Sequence, residues 1–160
     1  LQDKTFIGYR DPRHRLGLMN DFTLFKNLHL FLFLRADLGH ILNFPYSITG
    51  WSMFDRQNSS NYPYWTPENK TNDWPRLSNN LTPFGGGIVP YKPASFLRVQ
   101  DVSISYNFSN AKKIIRSIQN LELFFSAHNL LTFSMWPGYD PELGNTPMSR
   151  TFTFGVNMSL

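Results

Sequence analysis

The sequence predicts an all-β protein: antiparallel up-and-down strands forming the last part of a transmembrane β-barrel, with long extracellular loops. Three observations predict it. Residues 151–160 alternate, with Phe152, Phe154, Val156, Met158 and Leu160 apolar and Thr151, Thr153, Gly155, Asn157 and Ser159 polar or small. A run of roughly ten residues is what a tilted strand needs to cross a bilayer's hydrocarbon layer, and a chain that stops at its end is expected of an outer-membrane barrel. Second, about five such segments follow one another with alternately short and long connections, the asymmetry of outer-membrane barrels. Third, aromatic residues reach 16% while charged residues are held to 16%, well under the roughly 25% charge of an average soluble domain.

The elements follow in chain order. Residues 16–25 read as a strand, with Leu16, Leu18, Phe22 and Leu24 on one face against Gly17, Met19, Asp21 and Thr23. Lys26-Asn27 falls where a two-residue hairpin turn belongs. Residues 28–38 place Leu28, Leu30, Leu32, Leu34, Ala36 and Leu38 in step, with His29, Phe31, Phe33, Arg35 and Asp37 opposite. A helix over 28–42 would have the same apolar content; the alternating charges and the flanking hairpin favour a strand. From 39 to 93 the pattern breaks. This stretch carries most of the prolines, the Gly85-Gly86-Gly87 run, and Trp51, Tyr62, Tyr64, Trp65 and Trp74. So long a loop is uncommon in a compact soluble domain, and a functional loop is expected.

Residues 95–108 form the next strand, with a change of phase. Leu97 and Val99 are apolar at odd positions, whereas Val102, Ile104, Tyr106 and Phe108 are apolar at even ones, which places a β-bulge near Gln100-Asp101. Residues 109–119 are a basic connector holding Lys112, Lys113 and Arg116, read as a solvated turn of one or two helical turns. Leu121, Leu123, Phe125, Ala127 and Leu131 mark the fourth strand, opposite Glu122, Ser126 and His128, and 132–149 is a second, Pro/Gly-rich loop. About five strands cannot close a barrel wide enough for solute, and an open edge in lipid leaves dry backbone groups. Residues 1–160 are therefore expected to be the C-terminal strands of a larger barrel.

Composition excludes several classes. The net charge of +4 comes with no basic stripe or nucleic-acid-binding motif. The absence of cysteine rules out disulfides and thiolate metal sites. No secretory signal opens the chain, and its longest apolar run, Leu30 to Leu34, is far short of the ~20 residues of a spanning helix. Asn-x-Ser/Thr matches at Asn58, Asn69, Asn80, Asn107 and Asn157 are read as incidental to an Asn-rich chain.

Several blocks taken together and in order carry a resemblance. They are Ile7-Gly8 with Asp11-Pro12, Tyr64-Trp65-Thr66-Pro67-Glu68-Asn69, Trp74-Pro75-Arg76, and Ala94-Ser95-Phe96-Leu97-Arg98-Val99-Gln100-Asp101-Val102. Asn129-Leu130-Leu131-Thr132-Phe133, Gly138-Tyr139-Asp140-Pro141-Glu142 and Arg150-Thr151-Phe152-Thr153-Phe154-Gly155 complete the set. The chain resembles the C-terminal end of SusC/RagA-type TonB-dependent outer-membrane transporters of Bacteroidetes over nearly its whole length. Leu160 departs from the aromatic residue on which family members commonly end. The resemblance implies a plugged barrel of the 22-stranded class in the cell outer membrane, importing oligosaccharides or peptides. It further implies a SusD-like surface lipoprotein as partner, and a TonB complex acting through an N-terminal plug region that is missing here.

Candidate ligand contacts are Tyr62, Tyr64, Trp65 and Trp74, since flat aromatic rings stack on sugar CH faces; the alternative is that they pack the loop or form an interfacial girdle. Residues expected on lipid are Leu28, Leu30, Leu32, Leu34, Val102, Ile104, Tyr106, Leu121, Leu123, Phe125, Phe152, Phe154, Val156 and Met158. Those expected to face the lumen include Arg35, Asp37, Asp101, Glu122, Ser126, His128, Thr153 and Asn157. The four histidines (His14, His29, His40, His128) lack metal-ligand spacing, and no nucleophile elbow or phosphate loop occurs. No enzyme activity, metal or cofactor is expected. Asp140-Pro141-Glu142 is too poor in ligands for calcium and reads as a turn held by Asp140. A soluble β-sandwich carbohydrate-binding module would also explain alternating strands and aromatic loops, and is the alternative reading.

Overall fold

The computed structural model describes residues 5–44, 63, 65–74, 91–108, 118–144 and 146–159. Seven strands occur in the order β1 (His14–Leu24), β2 (Leu28–Leu38), β3 (Ile41–Asn43), β4 (Tyr91–Pro93), β5 (Phe96–Asn107), β6 (Asn120–Ser134) and β7 (Thr151–Ser159). They divide between two compact units, residues 1–40 with 94–160, and residues 41–93.

The first unit is a five-stranded sheet in the order β1-β2-β5-β6-β7. Every neighbouring pair is antiparallel. This is the expected up-and-down arrangement, interrupted in sequence only by the 41–93 segment. The short β1–β2 turn lies at one end of the sheet, where Leu24 pairs with Leu28 and Asn107 with Glu122. The other end carries the start of β1, β5 and β7 and the finish of β2 and β6.

The expected bulge is present, and β6 amplifies it. Val99 and Asp101 of β5 lie opposite the adjacent pair Leu34 and Phe33 of β2, so Gln100 is the extra residue. Across the next ladder, the same Val99 and Asp101 face Leu131 and His128, so β6 carries two residues, Asn129 and Leu130, where β5 carries one. Asn129 takes a left-handed conformation (φ 54); asparagine tolerates that region better than most side chains. One extra residue reverses the alternation of β5, whereas two preserve that of β6, so Leu131 stays in phase with Ala127.

Three sequence expectations need correction. The β1–β2 turn is a three-residue loop, Phe25, Lys26 and Asn27, rather than the pair Lys26-Asn27: Leu24 faces Leu28, and Phe25 (φ 51) and Lys26 (φ 67) are both left-handed. Positive φ normally selects Gly, Asn or Asp, so the sequence carried no turn signal at Phe25. The second loop does not start at 132. β6 runs on to Ser134, which pairs with Phe96, because the register carries Thr132 and Phe133 onto β5 despite their Pro/Gly-rich surroundings. Finally, the 39–93 segment is not wholly irregular, since β3 and β4 pair antiparallel through Ile41–Pro93, Leu42–Lys92 and Asn43–Tyr91. The basic connector 109–117, with Lys112, Lys113 and Arg116, lies outside the described residues.

The buried side chains of the sheet gather at its loop end: Ala36, Asp37, Phe96, Arg98 and Trp136, with Asp140. Ala127 is buried nearer the middle, and Ile118, just before β6, at the opposite end. This is a small interior for a sheet of five strands.

Candidate functional site

Directly opposite residues of an antiparallel sheet share a face, so the register sorts every strand residue. One face is built of cross-strand apolar rows. Phe22, Leu30, Ile104, Phe125 and Phe154 form one row; Leu32, Val102, Ala127 and Phe152 form the next; Leu24, Leu28, Tyr106, Leu123 and Val156 form a third. Beyond the bulge, Leu18, Leu34, Val99 and Leu131 continue the same face. The bulge accounts for this continuity: without Gln100, Val99 and Leu97 would turn to the other side. All fourteen residues expected on lipid lie on this face. It is bare: Phe125 is 41% exposed, Phe152 58% and Phe154 71%. Among the described residues no second layer of strands covers it, which a β-sandwich requires.

The opposite face is polar and carries all eight residues expected toward a lumen. Asn107, Glu122 and Asn157 form one row, Ser103, Ser126 and Thr153 another, and Asp101 with His128 and Thr151 a third. Asn157 Nδ2 donates to Glu122 Oε2 at 3.1 Å, and His128 Nδ1 donates to Asp101 Oδ1 at 2.5 Å. Its apolar members include Met19, Phe31, Phe33, Phe96 and Phe124. The Phe124 ring lies over Gly155 so closely that a Cβ there would come within 2.3 Å of it.

At the loop end of the polar face, Arg35 and Arg98 lie directly opposite each other. Like charges in that position repel, and three carboxylates resolve the conflict. Arg35 donates to Asp37 Oδ2 at 2.8 Å and to Glu142 Oε1 at 2.6 Å. Arg98 donates to Asp140 Oδ2 at 2.7 Å, to the second oxygen of Glu142, and through Nε to Thr132 Oγ1 at 3.1 Å. Glu142 therefore bridges the two guanidinium groups. Both also lie over the Phe96 ring, at 5.5 and 4.9 Å from its centroid. Arg98 is 1% exposed and Asp140 2%; a charge this deep persists only when paired and hydrogen-bonded.

The same contacts shape the loop after β6. Asp140 Oδ1 accepts the backbone N–H groups of Glu142 (2.9 Å) and Leu143 (3.2 Å), so Asp140 does hold a turn, as its sequence context indicated. Gly144 N–H returns to Asp140 O at 2.6 Å, and the Trp136 indole donates to Gly144 O at 3.2 Å. Among the described residues no cluster of three or more metal-binding side chains occurs.

Beside this network, His40 is buried, and its Nδ1 has no hydrogen-bond partner among the described residues, nor has Asp37 Oδ1. Burial lowers the His40 pKa from its ordinary value, with the negative charge of Asp37 opposing.

Within the 41–93 unit, the Trp74 ring meets Phe44 edge-on at 6.3 Å and carries Lys92 Nζ 4.0 Å above it; Lys92 also donates to Asp73 O. Trp65 is half-buried and precedes a tight turn in which Thr66 and Asn69 exchange backbone hydrogen bonds of 3.1 Å. Tyr62 and Tyr64 lie outside the described residues. Arg98, the centre of the charged network, was not singled out from sequence. Its only signal was a charge in an apolar strand beside the phase change, and the shift near Gln100 obscured its face.

No family profile matches the chain. "TonB-dependent receptor P3" of Formosa agariphila is 30% identical over 98% of this chain and 17% of its own length. "TonB-dependent receptor P26" of the same organism is 30% identical over 59% of this chain and 11% of its own. The chain thus spans about one sixth of the length of the first of these relatives. Among solved structures, the RagAB peptide importer in its "closed-closed" state superposes with a TM-score of 0.58, at 22% identity over 90% of this chain and 16% of the other. Its "open-open" state gives 0.56 at 22% identity, over 84% and 16%. The likeness to TonB-dependent receptors holds along nearly the whole chain in sequence, and the all-β antiparallel fold is shared with the RagAB importer chain.

Proposed function

We propose that this chain, a relative of the TonB-dependent receptors, is part of an outer-membrane transporter that imports nutrients such as oligosaccharides or peptides. Residues 1–160 supply C-terminal strands of its barrel. The apolar face meets lipid through Leu30, Leu32, Leu34, Val102, Ile104, Tyr106, Leu123, Phe125, Phe154, Val156 and Met158, while the polar face looks inward. The remaining strands pair with the open edges of β1 and β7, and a plug elsewhere in the protein couples to the TonB complex. The charged network stands at the outer end, where it fixes one loop for a SusD-like lipoprotein cap. The role is non-catalytic, in keeping with relatives named as receptors.

The observation that carries this reading is the apolar face, interrupted in edge strand β1 by Asn20 opposite Leu32 but carried across two irregular ladders by Gln100 and the Asn129-Leu130 pair. A soluble sheet gains nothing from preserving an exposed apolar surface through a bulge, whereas a lipid-facing sheet requires it. The test places lysine at adjacent positions of the central strand in the whole transporter. Val102→Lys puts a charge on the apolar face near mid-sheet and is expected to cost ~2–4 kcal/mol of folding stability in lipid. Ser103→Lys, on the polar face, is expected to be tolerated. Equal tolerance at both positions contradicts the assignment.

A further inference from the structure

A cleft of about 450 Å³ opens between the far half of β6 and the 136–150 loop. Its volume lies in the range of small-ligand sites. Tyr139, Pro147 and Met148 form an apolar wall, and Asn129, Thr132 and Arg150 supply polar groups. The Tyr139 ring is 76% exposed, so its surface is open to a ligand.

The electrostatics of this cleft are decided by the neighbouring network. Asp140 also lines it, and a free carboxylate there would repel anions. Both Asp140 oxygens are engaged, one by Arg98 and one by backbone N–H groups. Arg98 and Arg35 likewise occupy both oxygens of Glu142. Arg150 is exposed, and among the described residues no carboxylate lies within salt-bridge distance of it. With Arg15 3.9 Å from Asp37, three arginines meet the three carboxylates of the network, so Arg150 is the cleft's cation without a carboxylate partner among the described residues, beside an open ring. The Thr132 hydroxyl accepts from Arg98 Nε and retains its own proton to donate. Asn129 Nδ2 is anchored to Ser149 O at 3.3 Å, which leaves its side-chain oxygen as an acceptor.

We infer that this cleft is a subsite for a carboxylate-bearing unit of the cargo, with Arg150 pairing the carboxylate and Tyr139 stacking on the apolar face beside it. An arginine fork matches a carboxylate in geometry as well as charge, and tyrosine offers a flat surface at small entropic cost. Two sources carry this chemistry: a uronic-acid sugar or an acidic peptide side chain. As a cargo site it rests on the transporter reading, but it makes a separate claim about binding.

The test uses the purified full-length transporter in detergent and titration calorimetry with tetragalacturonate, its methyl ester, tetraglutamate and tetraglutamine. One acid probe is expected to bind about tenfold more tightly than its neutral counterpart, the size of one charge-assisted contact, and the pair that responds identifies the source. Arg150→Gln is expected to abolish that preference and Arg150→Lys to retain part of it, while Tyr139→Ala weakens acid and neutral probes alike. If neither acid is preferred, or if Arg150→Gln keeps the preference, the inference is overturned. Outer-membrane fractionation of the same variants separates the two claims: a correctly inserted protein without acid preference defeats the subsite alone, whereas failure of the wild-type protein to reach that membrane defeats the transporter reading.

Discussion

The two faces of the five-stranded sheet are made from the same strands and obey opposite rules. On the apolar face, rows of Leu, Ile, Val and Phe stand exposed, and position rather than pairing defines each residue's part. On the polar face, Arg98 is the most deeply buried large side chain of its sheet, and its worth lies in three named partners. The contrast teaches that one face is specified by solvent, so that any apolar residue of similar size serves, while the other is specified by contact and tolerates little exchange. In the proposed transporter a membrane supplies the missing solvent for the first; the loop after β6 supplies the missing partners for the second.

The largest expected effect that sharpens this contrast is Arg98→Ala. It strips partners from the buried Asp140 and from Glu142, and breaking a buried pair on one side costs ~3–5 kcal/mol. Denaturant unfolding of the whole protein in detergent reads it, and proteolysis in the 135–144 loop should rise with it. Phe154→Leu on the opposite face should change little in the same assay. A cost at Phe154 equal to that at Arg98 would remove the distinction.

Gly155→Ala is smaller. A methyl group there meets the Phe124 ring at 2.3 Å, and the ring must leave its place on the polar face at a cost of ~1–3 kcal/mol. The double change with Phe124→Ala should recover much of that loss, because the collision disappears; additive losses would show that the ring and the glycine are independent. Arg35→Ala is of similar size, ~1–3 kcal/mol: the guanidinium is itself part-exposed, but its removal leaves the buried Asp37 carboxylate with Arg15 alone, at 3.9 Å. A loss as large as that at Arg98 would place both arginines in one inseparable unit.

The smallest effect concerns acid. His40 has its pKa lowered by burial, so the unfolded chain binds its proton more readily than the folded one. Stability is full above the ordinary histidine value near 6.5 and is lost as pH falls below it. His40→Gln should flatten that part of the stability–pH curve while leaving the apolar face untouched.

The partition of the strands into two faces was legible in the sequence because alternation is a local property. Each residue's side follows from its neighbours, and the reversal between Val99 and Val102 announced the bulge at Gln100 without any long-range knowledge. The same locality made Leu131 assignable to the apolar face, although the structure reached that outcome through two extra residues in β6. The turn held by Asp140 was legible too, because its backbone acceptors lie only two and three residues away.

What tertiary structure decided lies where partners are distant along the chain. Arg98 meets Asp140 across 42 residues and Glu142 across 44, and Arg35 meets Glu142 across 107. No spacing rule reaches so far, because the meeting depends on registers that bulges reset by one residue at a time. The continuation of β6 to Ser134, the left-handed Phe25 and Lys26, and the packing of Trp74 against Phe44 and Lys92 were settled in the same way. Periodicity tells a chain which side each residue takes, since that depends only on backbone geometry; which charges share that side depends on how separate strands are brought into register, and only the folded sheet determines it.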